Sequence, residues 1–406
     1  MLTKWYGKQG LLWCMLFNAW LVWGICFMLV HPVYAAWKSG YGYRKQFTIQ
    51  GDNLASNVTQ FPLLVDISDG DIDDHCDDDG TGSWDIMFTQ SDGTTDLDID
   101  WIDYSESGGN ALITCYVSQA SWEISSDGST TGYLYYGNAS AGDPNTANGV
   151  WDSNYIAVWH MDEASGTIYD SADATTSHDS TVNTITAYQQ TGKIHWCVDM
   201  DGTDDEINFA DHAEFTVTDV TVEGWVYIDT WQDNEDFFSW FDDTSDDGFR
   251  WFGVDAASPG EMRVYGEVAD NLTITNSDTD DLVTATWTHY AMVRDSGTFY
   301  MYTNGAVGSD SDSNAGEIDS SDVITIGSGY DNIDWADAKF EEWRYSNAVR
   351  SADWLAFQYA NVNEADGELT WGDEESGFTP KVIIIGYVGQ GISGFFLVLF
   401  RRRKKK

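Results

Sequence analysis

Trp287-Thr288-His289-Tyr290-Ala291-Met292-Val293-Arg294 runs into Phe299-Tyr300-Met301-Tyr302-Thr303-Asn304-Gly305. Both runs are built from aromatic, β-branched and other apolar residues, and the second closes on Asn-Gly. That pair tolerates the two positive-φ positions of a type I′ turn, so a β-hairpin is predicted, with its turn at Asn304-Gly305. Outward from it, Val220-Thr221-Val222-Glu223-Gly224-Trp225-Val226 and Phe340-Glu341-Glu342-Trp343-Arg344-Tyr345-Ser346-Asn347 have the same strand character. Short Val/Ile/Thr/aromatic runs punctuated by Asp-Gly, Asn-Gly and Ser-Gly recur along the chain, with 38 Gly and 5 Pro, which implies an all-β architecture. The 20 Trp, 21 Tyr and 19 Phe supply too much apolar area for a solvated coil. Trp225, Trp251 and Trp343 sit at alternating strand positions and are expected in the core.

The two ends differ from the rest. Lys4 and Lys8 precede the apolar stretch Leu11–Val30, and Val33-Tyr34-Ala35-Ala36 reads as a signal-peptidase site, so a signal peptide is expected over 1–35. The alternative is an uncleaved anchor, since the apolar stretch is long. Residues 382–400 carry no charge and are followed by Arg401-Arg402-Arg403-Lys404-Lys405-Lys406. A transmembrane helix over 382–400 with a cytoplasmic basic tail at 401–406 is expected, or else a processed sorting signal. Between the ends, two β units are expected, 36–152 and 153–372, then a linker over 373–381. The whole would be a cell-surface ectodomain on a single membrane span.

Charge narrows the partners. Nine of the 19 Lys and Arg lie outside residues 37–380 and none of the 67 Asp and Glu do, so the ectodomain sets ten cations against 67 acids. No basic patch is left to neutralise phosphates, which excludes nucleic acid. Such acidity fits either a high-salt environment or multivalent cation binding by Asp-rich loops. Cys76, Cys115 and Cys197 are an odd set that forms no disulfide framework. A Cys76–Cys115 bridge is one option, and Cys197 reads as a small core residue.

Two resemblances carry further expectations. The opening Trp37 and Tyr43-Arg44-Lys45, then Phe61-Pro62-Leu63-Leu64-Val65, Trp84-Asp85-Ile86-Met87-Phe88-Thr89, Asp92-Gly93-Thr94-Thr95 and Tyr133-Leu134-Tyr135-Tyr136-Gly137-Asn138 together resemble the domain of unknown function 2341. That resemblance implies a β-sandwich in a surface protein and no established activity. Ala157–Gly166, Val198–Asp205, Val220–Val226, the hairpin and Phe340–Asn347 resemble, in this order, the laminin G-like, concanavalin A-like lectin/glucanase sandwich in its pentraxin-related branch. A jelly-roll sandwich is implied for 153–372. Glu341 stands where that family usually has Asp, which puts the role of that position in doubt.

Candidate chemistry follows. Asp243-x-Ser245-x-Asp247-Gly248 reproduces the first half of an oxygen-donor loop, but Val254 at the twelfth position rules out an EF-hand. The pentraxin-related resemblance implies that acids of this loop meet those after Ile326-Gly327-Ser328-Gly329. Asp243, Ser245, Asp247, Asp331 and Asn332 are therefore the candidate Ca²⁺ ligands, against the alternative of solvated turn residues in Asx hydrogen bonds. Tyr330 and Trp335 flank that loop and are the candidate platform for a sugar or peptide. Asp98-Ile99-Asp100-Trp101-Ile102-Asp103 imitates a glucanase acid pattern, whose retaining chemistry needs two carboxylates about 5–5.5 Å apart. It lies in the first unit rather than in the sandwich, and Asp is a methylene shorter than Glu. His160, His195 and His289 are expected as structural histidines. The expected function is non-enzymatic recognition or adhesion, with a glycan or a surface protein as partner. The alternatives are a structural envelope or appendage component and a glycan hydrolase.

Overall fold

The computed structural model describes residues 35–51, 54–76, 85–172, 177–231, 234–242, 247–254, 260–268, 271–276, 282–330, 333–363, 368–377, 383–389 and 392–398. Met1–Trp37 is one compact unit and Lys38–Lys406 another. The expected signal-peptide segment falls almost wholly outside the described residues.

In the Lys38–Lys406 unit, Tyr43–Ile49 pairs antiparallel with Thr131–Tyr136, which in turn pairs with Met87–Gln90. A separate three-stranded sheet orders Leu63–Asp69, Asn110–Ser118 and Asp98–Ser107. The free flank of Tyr43–Ile49 takes two late segments, Leu369–Trp371 and Glu375–Ser376. The chain thus leaves this first sheet system, builds the sandwich, and returns to it.

The sandwich has a seven-stranded and an eight-stranded sheet among the described residues. Val220–Thr230 lies in the larger sheet between Trp287–Asp295 and Asp337–Ser346. Its residues alternate by face, as a strand's period of two requires. Val222, Val226 and Ile228 join Trp251, Met292, Phe340 and Trp343 in the core between the sheets, while Trp225 packs in a second apolar cluster shared with the first sheet system. At Gly224 a Cβ would lie 2.5 Å from the Trp343 indole, so only glycine lets that ring close over the strand. The three tryptophans expected in the core are buried.

The central strands of the larger sheet, Val220–Thr230, Trp287–Asp295 and Asp337–Ser346, are buried along most of their length, so their outward face is covered too. Helix Ala352–Asn363 follows the sandwich, with Leu355 and Phe357 fully buried. Its Trp354 and Phe357 rings meet Phe61 at 4.9 and 4.8 Å. Each fully buried side chain of this kind contributes about 1.5–3 kcal/mol. Asn361 fixes the register: its Oδ1 accepts from the Leu64 amide at 2.8 Å, and its Nδ2 donates to the Leu64 carbonyl at 3.1 Å.

One sequence expectation is corrected and one open option is closed. Where a helix was expected over 382–400, the described parts, Ile383–Gly389 and Ile392–Val398, are antiparallel strands, and no helix among the described residues is long and apolar enough to cross a membrane. Ile383, Ile384, Ile385, Val388, Ile392 and Val398 are β-branched and favour a strand, while Gly386, Gly389 and Gly394 weaken a helix. The cysteines Cys76, Cys115 and Cys197 are all free and buried. Cys76 donates instead to the Asp85 carboxylate at 2.6 Å.

Candidate functional site

A bulge in Asp337–Ser346 starts the site. Glu342 has φ of +57°, and the pairing of this strand with Val220–Thr230 slips between Glu223 and Trp225. A bulge re-aims side chains. Phe340, Trp343 and Tyr345 point into the sandwich core, while Glu342 faces His160 and Arg344 reaches Tyr116 of the first sheet system. His160 Nδ1 lies 2.6 Å from Glu342 Oε1, and its Nε2 lies 3.0 Å from Asp100 Oδ2. Arg344 donates to Glu342 at 2.7 Å and to the Tyr116 hydroxyl at 2.7 Å, and Trp151 Nε1 donates to Asp100 at 2.7 Å. All of these side chains are buried. Burial opposes the His160 charge, yet Glu342 and Asp100 hold its pKa well above the ordinary value. Burial likewise disfavours ionised Glu342, but His160 and Arg344 draw it down from 4.5 to about 2.

Asp100 is therefore an internal ion-pair partner, sealed from solvent, while Asp98 faces a cleft and Asp103 sits 3.9 Å from His195. The acid triplet diverges rather than converging on one bond. Glu341, the other odd residue in this block, accepts from the amides of Lys193, Ile194 and His195, with the last two at 2.9 Å. Burial pushes its carboxyl up to about 8 against the pull of those amides.

The cleft that Asp98 faces measures about 710 Å³ and draws on both the first sheet system and the sandwich. Gln60, Gln119 and Asn148 offer side-chain amides; Asp98, Asp152 and Glu214 offer carboxylates; His178 lies in its wall. Asp152 holds Arg350 through two bonds of 2.6 and 2.8 Å, and the guanidinium sits 4.0 Å over the Tyr155 ring. This residue set was not singled out from the sequence, because its members come from segments more than 150 positions apart.

At the loop edge expected to bind ligand, Tyr330 is half-buried, 5.2 Å edge-on from Phe241, with the Arg250 guanidinium 5.6 Å from its ring centre. Arg250 is held by Asp236 Oδ2 at 2.5 Å and Asp334 Oδ2 at 3.2 Å. Trp335 is half-buried. Of the candidate calcium ligands, Asp243, Ser245, Asp331 and Asn332 lie outside the described residues. Asp247 is half-buried and accepts from the Asp319 amide at 3.3 Å.

No curated protein sequence matches the chain. Among solved structures, it is similar to the binding domain of Paraclostridial mosquitocidal protein 1, with a TM-score of 0.42 and 13% identity over 51% of this chain and 52% of that one. The botulinum neurotoxin serotype D binding domain gives 0.41 and 12% over 51% and 52%, and the botulinum neurotoxin type G receptor binding domain 0.40 and 14% over 51% of each. The chain thus spans about half the length of these solved structures. Residues 201–356 match the family model of the concanavalin A-like lectin/glucanases superfamily, so the stretch from the Asp201 turn into the helix beginning at Ala352 is a concanavalin A-like domain.

Proposed function

We propose that this protein is a non-catalytic recognition module of a cell surface that binds a glycan in the cleft beside its concanavalin A-like domain. The observation carrying this reading is the lining of that 710 Å³ space, where side-chain amides and carboxylates converge. Amides and carboxylates satisfy the paired donors and acceptors of sugar hydroxyls, and a cleft of this size suits a small ligand. Asp98 acts here as a hydrogen-bond acceptor. Catalysis by the Asp98–Asp103 pattern is disfavoured because Asp100 is committed to His160 and Trp151.

The edge bearing Tyr330 and Trp335 is the second surface offered to the same ligand class. Arg250, Asp236 and Phe241 hold Tyr330 in place, and Ca²⁺ at Asp243, Ser245, Asp247, Asp331 and Asn332 would shape that edge. Tethering through 382–400 and kinship of the first unit with the domain of unknown function 2341 belong to the same proposal.

A glycan array with the purified ectodomain tests it, with and without Ca²⁺. Loss of binding in Gln119→Ala with Tyr330→Ala unaffected assigns the cleft; the reverse assigns the edge. Hydrolysis of a bound glycan would replace recognition by the enzymatic alternative. Binding to copies of the protein and to no glycan would favour a structural envelope role.

A further inference from the structure

His178, His212 and Glu214 each present one ligand atom, and the three atoms lie within 4.8 Å of one another. We propose that these residues form a binding site for a divalent transition-metal ion, of which zinc is the type, in the wall of the cleft. The set is two imidazoles and one carboxylate, a donor combination suited to zinc and its neighbours rather than to calcium.

The geometry around His178 carries the argument. His178 is buried, and its Nδ1 faces the fully buried Asp170 carboxylate at 3.2 Å. Asp170 is itself fixed, since it also accepts from the amides of Val158 and Ala172 at 2.9 and 2.8 Å. A carboxylate behind one ring nitrogen is the arrangement that orients a metal-binding histidine and makes its other nitrogen a better donor. That other nitrogen, Nε2, points at Glu214 Oε2 only 2.9 Å away. With Nδ1–H donated to Asp170, two lone pairs would face each other there, so the gap must hold a cation, either a proton or a metal ion. The His212 ring completes the corner, 4.8 Å from the His178 ring and edge-on to it. Phe215 packs against both rings at 5.0 and 6.1 Å and limits their reorientation.

Zinc needs donors about 2.0–2.2 Å from the ion. Donor atoms within 4.8 Å of one another need to close in by at most about 1.4 Å to meet those bond lengths. Glu214 is exposed and His212 half-buried, so the two adjustable ligands lie on the open side and the rigid one lies inside. Three protein donors leave a fourth position for water or a ligand oxygen, in a cleft wall to which both His178 and Glu214 belong. The site stands whether or not the cleft takes a glycan.

Zinc titration of the chelator-stripped full-length protein by calorimetry tests this, run in millimolar Ca²⁺ to saturate the acidic surface. One zinc per chain at micromolar or tighter affinity is expected, with binding weakened at least about tenfold in His212→Ala and again in Glu214→Gln; Asp170→Asn should weaken it about 10- to 100-fold. Cobalt bound in place of zinc should give a visible spectrum of a nitrogen- and oxygen-ligated ion that disappears in His212→Ala. Circular dichroism of His212→Ala, whose ring is half-buried, checks that the fold survives. No binding in competition with Ca²⁺, or binding equal in wild type and His212→Ala, overturns the proposal and leaves a proton as the cation between His178 and Glu214.

Discussion

His160 can satisfy Asp100 and Glu342 together only as an imidazolium, because both carboxylates accept and both ring nitrogens must then donate. This sets a pH window. Glu342, drawn from 4.5 to about 2, contributes stability that is fully present above pH 4.5 and is lost as pH falls toward 2. His160, held above its ordinary 6.5, contributes stability fully present below pH 6.5 and lost as pH rises through its raised value. Both contributions are complete between those limits. Removing one partner of a buried pair costs about 3–5 kcal/mol, so His160→Ala should lower the unfolding free energy by that amount near pH 6. Urea titrations across pH should show the acid limb flattened in Glu342→Gln; an unchanged limb would mean other carboxylates govern it.

At the scale of elements, the hairpin predicted from Asn304-Gly305 is present: Thr303 pairs with Ala306, and Asn304 and Gly305 have φ of +51° and +76°. The turn also docks on the helix, since a Cβ on Gly305 would lie 2.7 Å from Ala356 Cα. At Gly108, with φ of +65°, a Cβ would meet nothing within 4 Å. Gly108→Ala should therefore cost about 1–2 kcal/mol from backbone conformation alone, and Gly305→Ala distinctly more. Thermal melts of the two variants check this, and equal losses would mean that the turn yields. Strand runs, the buried tryptophans and the Asn-Gly turn were legible because their signals are local. The bulge at Glu342 was not, because nothing in Glu341-Glu342 marks which acid turns into left-handed backbone. Nor was the pairing of Asp100 with His160, or of His178 with Glu214, since each joins separate segments through tertiary packing. Asp170–His178 spans eight positions, but without a fold such spacing carries no signal in so acidic a chain.

For the whole molecule, one apolar cluster contains Phe61 and Leu64 beside Trp225, Val293 and Leu355. A core shared in this way predicts a single cooperative unfolding transition for the two sheet systems, detectable as coincident tryptophan fluorescence and circular dichroism melts. Separate transitions would show that the shared cluster couples them weakly. The net charge of −48 predicts stabilisation by salt through screening of self-repulsion. Comparing Ca²⁺ with Na⁺ at matched ionic strength, in wild type and Asp247→Ala, separates screening from the proposed calcium site. Equal stabilisation of wild type by both ions removes the site and leaves acidity as a solvation property.

The return of Leu369–Trp371 and Glu375–Ser376 to the flank of Tyr43–Ile49 has a mechanical consequence. Tension applied at the C-terminal end enters the first sheet system before it reaches the concanavalin A-like domain. Past the paired strands Ile383–Gly389 and Ile392–Val398 it meets two short antiparallel pairings, two residue pairs and then three, and must peel them before it can draw on the helix. Asn361, bonded twice to Leu64, is the next latch in line. The sandwich is spliced into the chain upstream of these fastenings, so moderate pulling spends itself on unzipping a sheet edge while the cleft keeps its shape.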